Sequence, residues 1–232
     1  MKILAVDTAT KSCSVAIVDK ESLLAEMTVI NEQTHSKHLL EMVRIVVKHS
    51  DLNLSDLNGY AVTSGPGSFT GLRIGISSVK GLAAAQGKPI AGVSSLDSLA
   101  RQVSFSTYLI CSLIDARRDE VYTSRYRYKD GKLIKKDKEQ ALSPGDALDE
   151  INEPCIFVGS GAVLYQKAIK DMLGEYAFFA QAYENTIHAS TVARLGMDRF
   201  ENDDTDDAET FVPNYIRKSD AQLKLQEKKG HN

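Results

Sequence analysis

The sequence predicts a mixed α/β fold built from two similar halves. Three observations carry that prediction. Three short β-rich runs open the chain, with turn formers between them. Strand–helix units follow. The same order of elements then returns after ~108 residues, a repeat that puts Asp7 and Asp115 in matching places.

Residues 2–7 (KILAVD), 13–19 (CSVAIVD) and 23–30 (LLAEMTVI) are apolar runs. Thr8, Thr10 and Ser12 separate the first two and the 19–22 cluster DKES the last two, so they read as an antiparallel meander. Residues 35–49 switch to helical spacing and 58–63 return to strand. Residues 68–86 are helical behind Ser68, a good N-cap. A strand at 89–93 and a helix at 96–103 finish the first half. In the second, 107–115, 119–128 and 131–138 are strands, the last two joined by the Asp130-Gly131 hairpin turn. A helix at 144–151 starts at Ser143 with Pro144 in its first turn. Strand 155–159, helix 161–173, strand 177–180 and helix 188–200 complete it. Each half is then a mixed sheet flanked by helices. Two halves, 1–104 and 105–204, would face each other across a cleft. Residues 205–232 form a tail expected to pack back on the first half.

Hydrophobic residues at 43% and charged residues at 25% describe a globular chain and exclude disorder as its main state. No apolar run nears the ~18 residues a membrane span needs, and Asp7 comes too early for a signal-peptide core. Cys13, Cys111 and Cys155 are odd in number and far apart, each in a strand-like run. They read as small core residues of a reducing, cytosolic compartment. A net charge of −3 argues against a nucleic-acid footprint over the whole chain. Six acids crowd residues 201–209, and Arg217, Lys218, Lys224, Lys228 and Lys229 follow. The plain reading is a solvated acidic loop and a frayed basic tail; the sharper one is a tail that docks on a partner or RNA.

The run from Thr63 to Gly75 (TSGPGSFTGLRIG) lies between a strand and a helix. Gly65, Gly67 and Ser68, at a helix N-terminus, are candidates for a phosphate cradle, or simply form a tight connection. Asp7 and Thr8 at the first strand end, and Arg117 in the matching second place, are the further phosphate candidates; the simpler reading of Asp7 is a turn that closes a hairpin. His35 and His38, three apart, lack the additional ligands a metal needs. Helix 35–49 has an apolar arc of roughly 220°, about twice that of a one-sided helix. Helix 68–86 has a second face of small residues that invites close approach. Both features favour a protein interface, with His35, Leu39, Val43, Val46, Gly71, Ile74, Gly75 and Ser78 as its candidates. No nucleophile series is found, so no catalytic residue is assigned.

ILAVDTAT (3–10), HSKHLL (35–40), VTSGPGSFTGLRIGISSVKGLA (62–83), GVSSLDSLA (92–100), DARRDEVY (115–122) and PNYIRK (213–218) closely resemble the bacterial TsaB (YeaZ) family, essentially end to end. The resemblance implies an ASKHA (actin/hexokinase/Hsp70-like) fold of two tandem ribonuclease H-like subdomains with mixed five-stranded sheets. It implies a non-catalytic paralogue of the TsaD transferase subunit, working in the formation of N6-threonylcarbamoyladenosine at position 37 of tRNAs that read ANN codons. Pairing with TsaD would use first-half helices. The chain would be a homodimer when alone, would recruit the TsaE ATPase, and would reach tRNA through the complex. No membrane and no cofactor of its own are implied, with ATP or ADP at the complex interface. The HxxxH metal pair of the transferase has no counterpart in residues 93–100 (VSSLDSLA), where Ser and Leu cannot replace imidazole. The alternatives are an independent ATP-hydrolysing enzyme using Asp7 and the 65–68 loop, and a glycoprotease-like peptidase.

Overall fold

The computed structural model describes residues 1–30 and 35–217. The first sheet holds β1 (Ile3–Asp7), β2 (Ser12–Val18), β3 (Leu23–Ile30), β4 (Gly59–Gly65) and β5 (Ile90–Ser94), in the order β3-β2-β1-β4-β5. The meander is antiparallel; β4 and β5 join it in parallel. Strand β1 is buried on both faces, which is why it is a continuous apolar run rather than an alternating one. Its alternate residues separate two cores. Leu4 and Val6 face α1 (Leu39–His49) and α2 (Phe69–Gln86). Ile3 and Ala5 lie in the core on the other face. Ser68 caps α2 by accepting the Gly71 N–H at 3.2 Å. Helix α3 (Ser95–Gln102) follows β5, capped by Ser94.

The second sheet holds β6 (Leu109–Arg117), β7 (Glu120–Lys129), β8 (Lys132–Lys136), β9 (Gln140–Leu142), β10 (Cys155–Val158) and β11 (Ala177–Phe179). Its path is β11-β10-β6-β7-β8, which repeats the first sheet's plan, and β9 adds a sixth strand beside β7. Three residues of strand are too few to produce a legible alternation. Helix α4 (Pro144–Leu148) begins at the Ser143 cap and ends three residues before the expected stop. The expected helix 161–173 is instead two short ones, α5 (Ser160–Leu164) and α6 (Gln166–Leu173). They meet at Tyr165, whose ψ of 17° departs from helix. All three cysteines are buried; burial pushes the Cys13 thiol up to about 12. No helix among the described residues is long and apolar enough to cross a membrane.

Helix α7 (Ala189–Glu201) corrects the expected boundary. It follows the second sheet in the chain but packs on the first, through Ala189, Val192, Ala193 and Met197 in the core shared with Ile3, Ala5 and Ala61. Gly196 sits against the Ala61 methyl and Phe200 against Gly59. Glu26 of β3 holds the start of α7 by accepting from Ser190 N and Oγ, both at 2.9 Å. That same core includes Ile110, Ile114, Tyr126 and Val158 of the second half, so the two halves share one packed interior.

The acidic 201–209 run is built in rather than merely solvated. Arg199 pairs with Asp204 at 2.8 Å and Asp206 at 2.6 Å, and donates to the Gly92 carbonyl. Asp206 also bridges Ile90 and accepts the Gly92 N–H at 2.7 Å. Arg199→Ala is expected to destabilise the fold by about 1–3 kcal/mol, because it strips a partly buried charge-assisted network. Limited proteolysis should then cut within 202–211. Unchanged resistance and melting would show the network to be idle. The Lys residues at 218, 224, 228 and 229 lie outside the described residues.

Candidate functional site

Two places gather the predicted residues. The first is the β1–β2 turn. Asp7 is completely buried. Its Oδ1 accepts from Ala9 N at 3.0 Å and from Thr63 Oγ1 at 2.9 Å. Its Oδ2 is buried with no hydrogen-bond partner among the described residues. Burial pushes its carboxyl up to about 7, against the opposing pulls of the Ala9 N–H, Thr63 and His188.

The phosphate candidates around it are packed against one another. Ser68 N, a donor a phosphate would need, donates to the Ala9 carbonyl at 2.7 Å. Gly67 lies on that same carbonyl, too close for any side chain. Thr8 Oγ1 donates to the Gly71 carbonyl at 2.7 Å, while Gly71 and Gly75 lie directly on Thr8. Gly65 has φ +119°, and a Cβ there would meet the Asn214 carbonyl, whose own N–H donates to Ser64 O at 2.7 Å. Arg117 belongs to the other hairpin, is exposed, and donates its N–H to Asp115 Oδ1. Thr8, Gly65, Gly67 and Ser68 are thus engaged with Ala9, Gly71 and Asn214, while Arg117 lies apart from them. A nucleotide phosphate does not fit among Thr8, Gly65, Gly67 and Ser68 in this packing.

The second place is a depression of about 480 Å³ between α1 and α2, lined by Leu40, Phe69, Arg73, Ile74, Ser77 and Ser78, with Ser36, Leu39 and Thr70 completing it. Of the interface candidates, Leu39, Ile74 and Ser78 border it. Leu39 is only 1% exposed, so its atoms belong mainly to the core. Val43 and Val46 are buried beneath α1 against the sheet, because the wide apolar arc serves this chain's own core. Gly71 and Gly75 let α2 approach Thr8 closely within the chain. His35 is bonded through Nε2 to the Thr10 carbonyl at 2.9 Å.

The exposed members are others. Leu40 is 60% exposed. The Arg73 guanidinium lies 3.9 Å over the Phe69 ring. Tyr215 stacks on Phe69 at 4.6 Å and accepts from Arg73 Nε at 3.0 Å, so the tail supplies part of the rim. Sequence reasoning missed Phe69, Arg73 and Tyr215; the one-turn spacing of Phe69 and Arg73 is a signal that could have found the first two, and nothing local announces Tyr215. Among the described residues no three His, Cys, Asp or Glu side chains converge as a metal set.

A family model described as TsaD, tRNA N6-adenosine threonylcarbamoyltransferase, matches residues 26–225. The tRNA threonylcarbamoyladenosine biosynthesis protein TsaB of Bacillus subtilis (strain 168) is 33% identical over 227 residues, 97% of each chain. Its namesake in Escherichia coli (strain K12) is 35% identical over 167 residues, covering 69% of this chain and 72% of the other. The structure of YeaZ from Pseudomonas aeruginosa superposes with a TM-score of 0.79 at 28% identity, over 92% of this chain and 99% of that one. Component A of the (R)-2-hydroxyglutaryl-CoA dehydratase of Acidaminococcus fermentans, 10% identical with a TM-score of 0.53 over 86% of this chain and 98% of the other, shares the ASKHA-type fold alone.

Proposed function

The chain belongs to the TsaB family of tRNA threonylcarbamoyladenosine biosynthesis proteins, and from that premise we propose that it acts as a non-catalytic scaffold, pairing with a TsaD-type transferase subunit through the exposed α1–α2 surface. A TsaE-type ATPase then joins the pair, and ATP or ADP binds at the assembled boundary. The observation that carries this reading is the α1–α2 depression. It exposes Leu40 and half-buries Ile74 beside Phe69, while nearby Arg73, Ser77 and Ser78 supply a polar margin. Apolar centre and polar rim are the anatomy of a protein interface. The closed packing around Asp7 supports the non-catalytic part, since the ATP-hydrolysing alternative needs that turn to admit a phosphate. Alone, the same surface would pair two copies of the chain, in competition with the transferase by mass action.

Leu40→Glu with Ile74→Glu tests it. Each introduces a charge that pairing would have to desolvate. The expected result is a folded chain that no longer co-elutes with its transferase partner on gel filtration, an affinity loss of about 100-fold or more. Co-elution at wild-type affinity would reject this surface.

A further inference from the structure

Charge in this chain is segregated. Residues 125–138 hold seven Lys and Arg against two Asp, in a chain whose net charge is −3. They build the β7–β8 hairpin, and β8 is an edge strand with every residue exposed. Three of the cations serve the fold. Arg125 donates to the Ala147 and Asp149 carbonyls, Arg127 pairs with Glu153, and Lys136 pairs with Asp97 and Glu139. The remaining four, Lys129, Lys132, Lys135 and Lys138, point their charge into solvent. Lys135 lies 3.3 Å from Asp137, an exposed pairing worth little.

The hairpin tip is held in place. Arg101 Nη1 donates to the Gly131 carbonyl at 2.9 Å and to Ser104 Oγ at 2.8 Å. Phe105 lies against Gly131 with 87% of its surface exposed. Leu133 and Ile134 are exposed on the same hairpin. Lysines on an edge strand also deter strand-to-strand aggregation. That role does not account for a free aromatic ring and two aliphatic side chains beside them, which work against it. Solvent-facing lysines flanking an exposed ring match the chemistry of an RNA strand, with phosphates for the cations and a base face for the ring.

We propose that the β7–β8 hairpin and Phe105 form an RNA-docking surface, on which Lys129, Lys132, Lys135 and Lys138 meet tRNA phosphates and Phe105 receives an unstacked base. This rests on the chain's place in tRNA modification, but it uses no residue of the α1–α2 pairing surface. The test is fluorescence anisotropy with an unmodified tRNA transcript, using the full chain alone and in complex with its transferase, across a salt series. Replacing the four lysines together (K129E, K132E, K135E, K138E) should weaken binding about 100-fold at low salt and flatten the log–log salt slope by about 3. Phe105→Ala should weaken it about 10-fold. Melting temperature and transferase pairing should stay at wild-type values, because all five side chains are exposed. The proposal is overturned by wild-type RNA binding in the four-lysine variant. It is equally overturned if the wild-type chain fails to bind the transcript in either form. Equal competition by polyglutamate, with no effect of Phe105→Ala, would show a generic polyanion surface and also overturn it. Intact RNA binding without transferase pairing would support this surface and remove the scaffold reading instead.

Discussion

Asp7→Asn is expected to remove a pH dependence of stability worth about 4 kcal/mol. The Asp7 carboxyl titrates at about 7 in the folded chain against 3.8 in the reference state. Each unit of that difference is about 1.4 kcal/mol, and complete burial leaves no solvent to screen it. The folded-state value is raised, so the contribution is fully present below pH 3.8 and is lost progressively as pH rises to about 7. Above that it stays lost: the folded chain then holds a buried carboxylate with one oxygen unpartnered. His188, raised chiefly by its hydrogen bond to Glu26, titrates in the same sense. The measurement is therefore the difference between Asp7→Asn and wild type in urea unfolding from pH 4 to 8. The asparagine retains an acceptor for Ala9 N and Thr63 Oγ1, but its amide lacks a partner, at about 1–3 kcal/mol independent of pH. The expected difference curve moves toward the variant by several kcal/mol over this range. A flat curve would mean that Asp7 is not titrating in the folded chain.

Val43→Glu and Leu40→Glu are expected to diverge sharply, although both replace an apolar residue of α1. Val43 is 5% exposed and packs in the core between α1 and the sheet. A glutamate there carries an unpaired charge or a protonated acid into that core, at about 3–5 kcal/mol. Because a domain's whole stability is about 5–15 kcal/mol, the variant should be largely insoluble or molten. Leu40 points outward, so its replacement should shift stability by less than about 0.5 kcal/mol while impairing pairing. Circular dichroism melts of the two variants decide this. Equal stability would place the two side chains in similar surroundings.

Much of the fold was legible in local patterns. Ser68 and Ser143 announced their helices because a cap needs only a hydroxyl and the N–H groups two or three residues later. The β1–β2–β3 meander was legible because short apolar runs with tight turns between them have few other ways to pair. The pairing surface proposed above could be argued from the sequence only in outline. A wide apolar arc on helix 35–49 says that the helix is covered on more than one side, and periodicity alone cannot say by what. The answer was the chain's own sheet for Val43 and Val46, leaving Leu40 as the exposed member.

The sequence by itself determined most of the order of strands and helices, the twofold plan and the family, since these reside in spacings of a few residues or in a contiguous motif such as GPGSFTGLRIG; β9 and the break at Tyr165 escaped it. Tertiary structure alone decided the rest. It placed α7 on the sheet of the other half, drew Tyr215 onto Phe69, and turned Gly71 and Gly75 toward Thr8. It also left Asp7 buried with an oxygen unpaired. Each of those depends on groups far apart in the chain, Gly71 and Thr8 by 63 residues. Burial, close approach and shifted proton affinity are properties of what surrounds a side chain, and its neighbours in sequence specify only a small part of those surroundings.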